Sequence, residues 1–175
     1  VQNEESKELL AKHGITNTTV VGDTRLDRVL EIRAQAADLP LVEIFKNGKK
    51  TFIAGSSWQP DEAIYIPYFA QHKDWKLIIA PHVIGESHLS ELRTMLKDRK
   101  VVYYKDMEER LKSACNNASM LEVIKKELAE AEVLIVNCFG KLSSIYRYGE
   151  VAIVGGGFGV GIHNVPEAAV YGIPV

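Results

Sequence analysis

The sequence has little cysteine and no strong charge of either sign. Cys115 and Cys138 are its two cysteines, they lie far apart, and neither belongs to a CxxC pair. This pattern predicts neither a zinc site nor a disulfide scaffold, and it favours a reducing, cytoplasmic setting. The formal net charge is −2 with both signs interspersed, which argues against the basic face that nucleic-acid binding needs. We therefore expect no nucleic-acid partner.

Long apolar runs are also absent from the sequence. No run approaches the roughly 18 to 20 residues that a membrane-spanning helix needs. We find neither an internal repeat nor a low-complexity linker, and 175 residues with 46% hydrophobic content suffice for one compact core. The sequence therefore predicts a single soluble domain.

Short apolar runs predict six β-strands. Several are continuous runs of Val, Ile and Leu, which is typical of a parallel sheet covered by helices on both faces. We therefore predict the α/β class, with a Rossmann-like, doubly wound and mainly parallel sheet. The predicted strands are Thr18–Val21, Thr51–Ala54, Leu77–Ala80, Val101–Tyr104, Val133–Val136 and Val151–Val154.

Segments with helical spacing of apolar residues separate these strands. We expect the side-chain oxygens of Asp23, Asp61 and Ser87 to cap helix starts. The charged segment Asp106–Glu130 leaves its helix boundaries open. The predicted helices are Glu4–Lys12, Asp23–Ala36, Pro60–Ala70, Glu86–Leu96, Leu121–Ala131 and Pro166–Tyr171.

A glycine-rich loop, Gly155–Gly161, follows the last predicted strand and leads to His163, Asn164 and Glu167. Glycines between a strand and a helix leave backbone N–H groups uncovered, so a phosphate can approach where the helix dipole is positive. A carboxylate one turn into that helix can hold ribose hydroxyls. The structural alternative is a tight strand-to-helix turn. A nicotinamide site is disfavoured because no long helix follows the glycines.

Five segments along nearly the whole chain carry a resemblance to a known family. They are Val21–Asp27, Ala54–Trp58 with Asp61 and Glu62, Ala80–His82, Asn137–Leu142, and Gly155–Val175. Together and in this order they resemble the 3-deoxy-D-manno-octulosonic acid (Kdo) transferases of bacterial lipopolysaccharide synthesis. Those enzymes are similar in architecture to the GT-B glycosyltransferases.

The resemblance implies a nucleotide-sugar donor site. Each matched segment follows a predicted strand, and open parallel sheets bind ligands at the carboxyl ends of their strands. We expect Glu167 to accept from the ribose hydroxyls, and His82 and His163 to bond phosphate, base or sugar oxygens. The implied donor-binding residues are Ser56, Ser57, Pro81, His82, Gly140, Lys141, Leu142, Gly156, Gly157, His163, Asn164 and Glu167.

Some residues depart from the family pattern or receive other roles. Asn137, Cys138 and Lys141 stand where the family shows Asp, Thr and Glu, which leaves their side-chain roles open; Lys141 can pair with a donor carboxylate or phosphate. Cys138 has no evident base partner for nucleophilic catalysis. We expect Trp58 and Trp75 to be packing groups. His88 is predicted to lie at the surface.

The family resemblance implies an enzyme that transfers Kdo from CMP-Kdo to a lipid A precursor with inversion and without a metal or cofactor. The general base belongs to an N-terminal domain, so we expect no catalytic residue in this chain and no turnover by it alone. Residues 1–17 are then the end of an interdomain segment. Residues 18–175 are the donor-binding domain, truncated at both ends relative to the full enzyme. The lipid acceptor implies work at the membrane surface, on the cytoplasmic face of the bacterial inner membrane.

Two alternatives stay open from the sequence. A nucleotide-sugar epimerase has the same fold and a ribose-binding glutamate, and it would favour UDP over CMP. A non-catalytic nucleotide-binding module is the other, and it would show no preference for CMP-activated sugars.

Overall fold

The computed structural model describes residues 1–159 and 161–175. Its centre is a five-stranded sheet, whose strands are β1 (Thr51–Ser57), β2 (Lys76–Pro81), β3 (Val101–Tyr103), β4 (Val133–Ile135) and β5 (Val151–Val154). The strands lie in the order β3-β4-β2-β1-β5, and every paired strand runs parallel to its neighbour. The predicted α/β class with a parallel sheet is confirmed.

Helices cover both faces of this sheet, as the continuous apolar runs predict. Five of the six predicted helices begin within three residues of the observed start, and the sixth, Glu4–Lys12, matches at both ends. The helices are α1 (Glu4–Lys12), α2 (Thr24–Ala34), α3 (Pro40–Lys46), α4 (Gln59–Ala70), α5 (Glu86–Met95), α6 (Tyr104–Ser113), α7 (Ala118–Glu130), α8 (Leu142–Ile145), a 3₁₀ turn (Tyr146–Tyr148) and α9 (Val165–Ala169).

Strand β2 shows how the two faces are filled. All six of its residues are buried, and their side chains alternate between the two faces. Leu77 and Ile79 belong to the core with α4 and α5, whereas Ile78 and Ala80 belong to the core with α3, α6 and α7. The central strand is therefore shielded from water on both sides, which explains the uninterrupted apolar run from Leu77 to Pro81 that follows the buried Lys76.

Two local predictions are wrong. Thr18–Val21 forms no strand, and the Val21 side chain is 62% exposed; β-branched residues favour extended backbone, but here no neighbouring strand provides a ladder. Ser87 does not cap α5, because Gly85 occupies the N-cap position. Asp23 does cap α2, since its Oδ1 accepts from the Arg25 N–H at 3.0 Å.

The sheet has a switch point between β1 and β5. From β1 the chain passes through α4 to β2 on one side. From β5 it passes through α9 and returns along the outer edge, where the Ala152 N–H donates to the Pro174 carbonyl at 2.9 Å. Loops that leave in opposite directions open a crevice at the carboxyl ends of these strands.

Among the described residues, no helix combines the length and the apolar composition that crossing a bilayer requires.

Candidate functional site

A cleft of about 340 Å³ lies at the carboxyl ends of β1, β2 and β4. Segments separated by up to 86 residues along the chain meet there, because parallel strands end at one edge of the sheet. Five of the twelve predicted donor-binding residues line the cleft, namely Ser56, Pro81, His82, Gly140 and Leu142. The structure thus brings together residues from three of the matched segments.

The two serines that follow β1 have different environments. Ser56 lines the cleft with a φ of 50°, a left-handed conformation that is costly for a residue other than glycine and that clusters at functional sites. Ser57 is fully buried, and its Oγ donates to Glu62 Oε1 at 2.9 Å. Ser56 therefore faces the cleft, whereas Ser57 lies behind it.

Behind the cleft, Ser57 belongs to a buried polar network. Glu62 Oε2 lies 2.8 Å from His88 Nε2, and His88 Nδ1 donates to the Val83 carbonyl at 3.0 Å. The Tyr65 hydroxyl donates to Ser57 Oγ at 3.3 Å, and burial raises the pKa of Tyr65 well above its usual value. The network joins α4 to α5 and to the loop that leads from β2.

His88 is thus not at the surface, contrary to the prediction. Its side chain is 4% exposed and the side chain of Glu62 is 1% exposed. A buried carboxylate needs donors for its oxygens, and Ser57 and His88 supply one to each oxygen. This contact explains why a histidine is buried on α5.

The carboxylate of Asp61 joins the turn after β1 to the glycine loop after β5. Its Oδ2 accepts from the Trp58 N–H at 2.9 Å and from the Gly156 N–H at 3.1 Å, and the residue is 2% exposed. Asp61 therefore lies in the first turn of α4 and serves both the start of that helix and the neighbouring loop.

The glycine loop differs from the expectation of uncovered N–H groups. Gly156 donates to Asp61, and the Gly155 N–H donates to the Gly55 carbonyl at 2.9 Å. A Cβ at position 155 would overlap the Ser56 carbonyl and the Asp61 carboxylate, so glycine is required there for close packing. Helix α9 has five residues, too short for a strong dipole. Val160, inside the predicted loop, lies outside the described residues.

Three rings form a cluster at the ends of β1, β2 and β5. The ring centroids of Trp58 and His82 are 4.6 Å apart, and those of His82 and His163 are 4.5 Å apart. The Trp58 indole Nε1–H donates to His163 Nε2 at 3.1 Å. Trp58 packs on His82, as expected of a packing group, and it also bonds His163, a contact between predicted donor-binding segments that the sequence analysis missed. Its position directly after the Gly-Ser-Ser turn was the available signal.

Asn164 and Glu167 form a side-chain pair in the last matched segment. Asn164 Nδ2 donates to Glu167 Oε1 at 2.8 Å. The pair leaves Glu167 Oε2 without a hydrogen bond to any described residue.

Tyr146, a second residue that sequence reasoning missed, lies where a Cβ on Gly55 would be. Its pKa is raised first by burial and then by the charge of Glu167.

The segment after β4 contributes mainly shape. The Lys141 ammonium lies 3.5 Å from Glu108 Oε1 and 5.7 Å from the Tyr104 ring centroid, so a carboxylate of the chain already pairs with it. Gly140 has a φ of 77°, which only glycine adopts readily. Burial raises the pKa of the Cys138 thiol, so the thiol is neutral and a poor nucleophile.

Gly157 does not line the cleft and is exposed on the glycine loop. A second hollow of about 150 Å³ lies between that loop and Trp58, and Gly156 belongs to its lining. Among the described residues, no three His, Cys, Asp or Glu side chains are arranged to hold a metal ion.

A larger groove, of about 500 Å³, lies near the amino ends of the strands. Its lining is almost entirely apolar and aromatic and includes Phe52, Tyr68 and Trp75. A nucleotide needs partners for its phosphate and ribose oxygens, which such a lining does not provide. The smaller cleft at the carboxyl ends is therefore the better nucleotide site.

Comparison with known proteins agrees with the parallel α/β fold and with the family resemblance. No family model matches the sequence. The sequence is 34% identical over 87 residues to a 3-deoxy-D-manno-octulosonic acid transferase of Aquifex aeolicus, covering 49% of this chain and 23% of that protein. It is 26% identical over 176 residues to the transferase of the same name from Rickettsia bellii, covering 97% of this chain and 37% of that protein. The resemblance to the Kdo transferases is confirmed.

Another relative is a bifunctional glycosyltransferase/methyltransferase of Fusobacterium nucleatum, 26% identical over 180 residues that cover 98% of this chain and 25% of that protein. The chain thus spans between 23% and 37% of the length of these three relatives. Among solved structures, it is similar to the C-terminal CMP-Kdo binding domain of WaaA from Acinetobacter baumannii. That match has a TM-score of 0.50 and 15% identity and covers 85% of this chain and 67% of that one; it shows a common fold.

The buried carboxylate of Glu62 should be essential for stability. We expect Glu62→Ala to lower the free energy of unfolding by about 3–5 kcal/mol, because His88 and Ser57 lose their buried partner. Glu62→Gln keeps an acceptor for Ser57 and an amide for a neutral His88, so it should restore most of the loss. Urea denaturation measures these values. Glu91→Ala removes an exposed glutamate of α5 and should stay within about 0.5 kcal/mol; equal losses at both positions would contradict the network's role.

The glycine loop offers a matched pair of substitutions. Gly155→Ala should lower the free energy of unfolding by about 1–3 kcal/mol, because the added methyl group overlaps backbone and the Asp61 carboxylate. At Gly157 no atom of residues 1–159 or 161–175 lies within 4 Å of an added Cβ, so Gly157→Ala should change stability by less than about 0.5 kcal/mol. Thermal or urea denaturation compares the two. Similar stability of both variants would refute the close packing between the loop and β1.

Proposed function

We propose that this chain is the donor-binding domain of a Kdo transferase and that its cleft binds CMP-Kdo. The observation that carries the proposal is the convergence of three matched segments at the carboxyl ends of β1, β2 and β4, beside the switch point between β1 and β5. Ser56, His82 and Gly140 line one cleft, and the ring contacts connect His82 to His163. Open α/β sheets bind nucleotides at this position. The Kdo transferase relatives indicate which nucleotide sugar to test first.

In the proposed complex, Glu167 binds the ribose. Asn164 holds Oε1 of this carboxylate at 2.8 Å, which fixes the rotamer of Glu167 and leaves Oε2 to accept from the ribose hydroxyls. A hydrogen bond to a charged acceptor is stronger than one between neutral groups. The preorganised pair therefore supplies affinity at a small cost in side-chain entropy.

The phosphate and the sugar lie nearer to the strand ends. The hydroxyl of Ser56 and the imidazoles of His82 and His163 donate to phosphate or Kdo oxygens, and the loop at Gly140 lies against the base. Lys141 already pairs with Glu108, so it contributes less to binding of the nucleotide sugar than the Ser56 hydroxyl and the two imidazoles do. Hydrogen-bond donors of the protein that are held in place before the reaction stabilise the charge that develops on the departing CMP.

The proposed reaction is a transfer with inversion. The acceptor hydroxyl attacks the anomeric carbon of Kdo as the bond to the CMP phosphate oxygen breaks, and a general base takes the hydroxyl proton. We assign that base to a part of the whole enzyme outside residues 1–175. The chain alone then binds the donor without turning it over, with residues 18–175 as the donor domain and residues 1–17 as a connecting segment.

The acceptor and the location of the whole enzyme follow from the same proposal. The acceptor is a lipid A precursor, which the enzyme meets at the cytoplasmic face of the bacterial inner membrane. The donor domain needs no metal in this scheme, because protein hydrogen bonds stabilise the leaving phosphate. In this scheme the donor domain accelerates the reaction by positioning the nucleotide sugar and by hydrogen bonds to its leaving phosphate.

Calorimetric titration with CMP, UMP and AMP tests the proposal. We expect binding with a preference for CMP, and a loss of about tenfold to hundredfold in Glu167→Gln. That loss corresponds to the about 1.5–3 kcal/mol of a hydrogen bond to a charged group. Glu167→Gln keeps the size of the side chain and the contact with Asn164 and removes one acceptor.

The matched control is Glu109→Gln, which removes an exposed carboxylate on α6 and should leave CMP affinity unchanged. A preference for UMP would favour a UDP-sugar enzyme of the same fold. Equal affinity for all three nucleotides, or equal losses in both variants, would refute the CMP-specific site.

A further inference from the structure

The contact between Trp58 and His163 determines where the histidine carries its proton. The indole N–H of tryptophan is only a donor, and it lies 3.1 Å from His163 Nε2. Nε2 must therefore present its lone pair to the indole. His163 is then a neutral imidazole whose single proton resides on Nδ1.

Stacking fixes the plane of the same ring. His82 lies 4.5 Å from His163 between ring centroids with an interplanar angle of 24°, and Trp58 stacks on His82 at 4.6 Å and 23°. The stack sets the plane of His163, and the indole hydrogen bond sets which edge faces Trp58. The imidazole therefore has one orientation and one tautomer before any ligand arrives.

The turn that carries Trp58 is itself held in place. The Trp58 N–H donates to Asp61 Oδ2 at 2.9 Å, and the same oxygen accepts from the Gly156 N–H at 3.1 Å. The backbone that bears the indole is thus tied to the loop that leads to His163. Nδ1 of His163 forms no hydrogen bond within residues 1–159 and 161–175, so its proton is available to a ligand.

We propose that Trp58 is a positioning residue for the donor, acting through His163: it holds His163 as the Nδ1–H tautomer and so presents one neutral N–H to the anionic part of the nucleotide sugar. This inference rests on the proposed function. Without the indole N–H, the ring can rotate or carry its proton on Nε2, and Nδ1 becomes an acceptor facing an anion. Trp58 then contributes to affinity without touching the donor.

Nitrogen-15 NMR of the histidine side chains tests the tautomer in the free chain. We expect the wild-type spectrum to show His163 with its proton on Nδ1. In Trp58→Phe, which keeps an aromatic ring and removes the N–H, we expect a shift toward the Nε2–H form. Trp75→Phe makes the same change near the amino end of β2, beside Phe69, and should leave the His163 spectrum unchanged. The wild-type spectrum is decisive even if Trp58→Phe folds poorly.

CMP affinity provides the functional readout. Trp58→Phe should weaken binding about five- to tenfold, as expected for one hydrogen bond, and Trp75→Phe should not. In His163→Asn, the side-chain amide places an N–H near the position of Nδ1. Asparagine has no counterpart of Nε2, so the indole N–H of Trp58 no longer orients this side chain. We therefore expect Trp58→Phe to have no further effect on CMP binding in that background.

The outcomes separate this inference from the proposed function. Suppose that the wild-type chain binds CMP with His163 protonated on Nε2, or that the losses from Trp58→Phe and His163→Asn are additive. Either result would overturn the role of Trp58 and leave the proposed function intact. A chain with the Nδ1–H tautomer that binds no CMP would overturn the proposed function, and with it the donor role of Trp58.

Discussion

The shared carboxylate of Asp61 is the contact on which the rest of the site depends. One oxygen accepts from the backbone of Trp58 after β1 and from the backbone of Gly156 after β5. Trp58 and Gly156 are 98 residues apart in the sequence. Their segments meet only because β1 and β5 are neighbours in the sheet. Since the carboxylate is buried, loss of either donor would remove one of the two hydrogen bonds that Oδ2 accepts, at a site shielded from water. The turn and the loop are therefore fixed relative to each other before a ligand binds.

A second buried carboxylate, Glu62, supports the cleft from behind. It lies beside Asp61 at the start of α4 and binds Ser57 and His88. Asp61 thus positions the side of the site with the glycine loop, and Glu62 positions the side with the loop after β2. Two buried, hydrogen-bonded carboxylates therefore hold the backbone that carries the polar groups facing the cleft. This arrangement agrees with a site that is preorganised for an anionic nucleotide sugar.

The sequence predicted the sheet well because a buried parallel strand must be apolar on both faces, as Leu77–Ala80 is. Thr18–Val21 has suitable residues but no partner strand, and a single sequence does not reveal pairing. His88 was misplaced because its burial depends on Glu62, a contact between α4 and α5 that spacing does not encode. Likewise, the indole of Trp58 and the imidazole of His163 meet across 105 residues. Motif order located the site, whereas the hydrogen bonds that shape it needed the fold.

Mapping of CMP onto the chain by backbone amide NMR shifts tests the central claim most directly. The account predicts that the perturbed amides cluster at the carboxyl ends of the strands, around Ser56, His82, Gly140 and His163. Perturbations confined to the apolar groove near Phe52 and Trp75 would contradict it, because the nucleotide would then bind at the opposite ends of the strands.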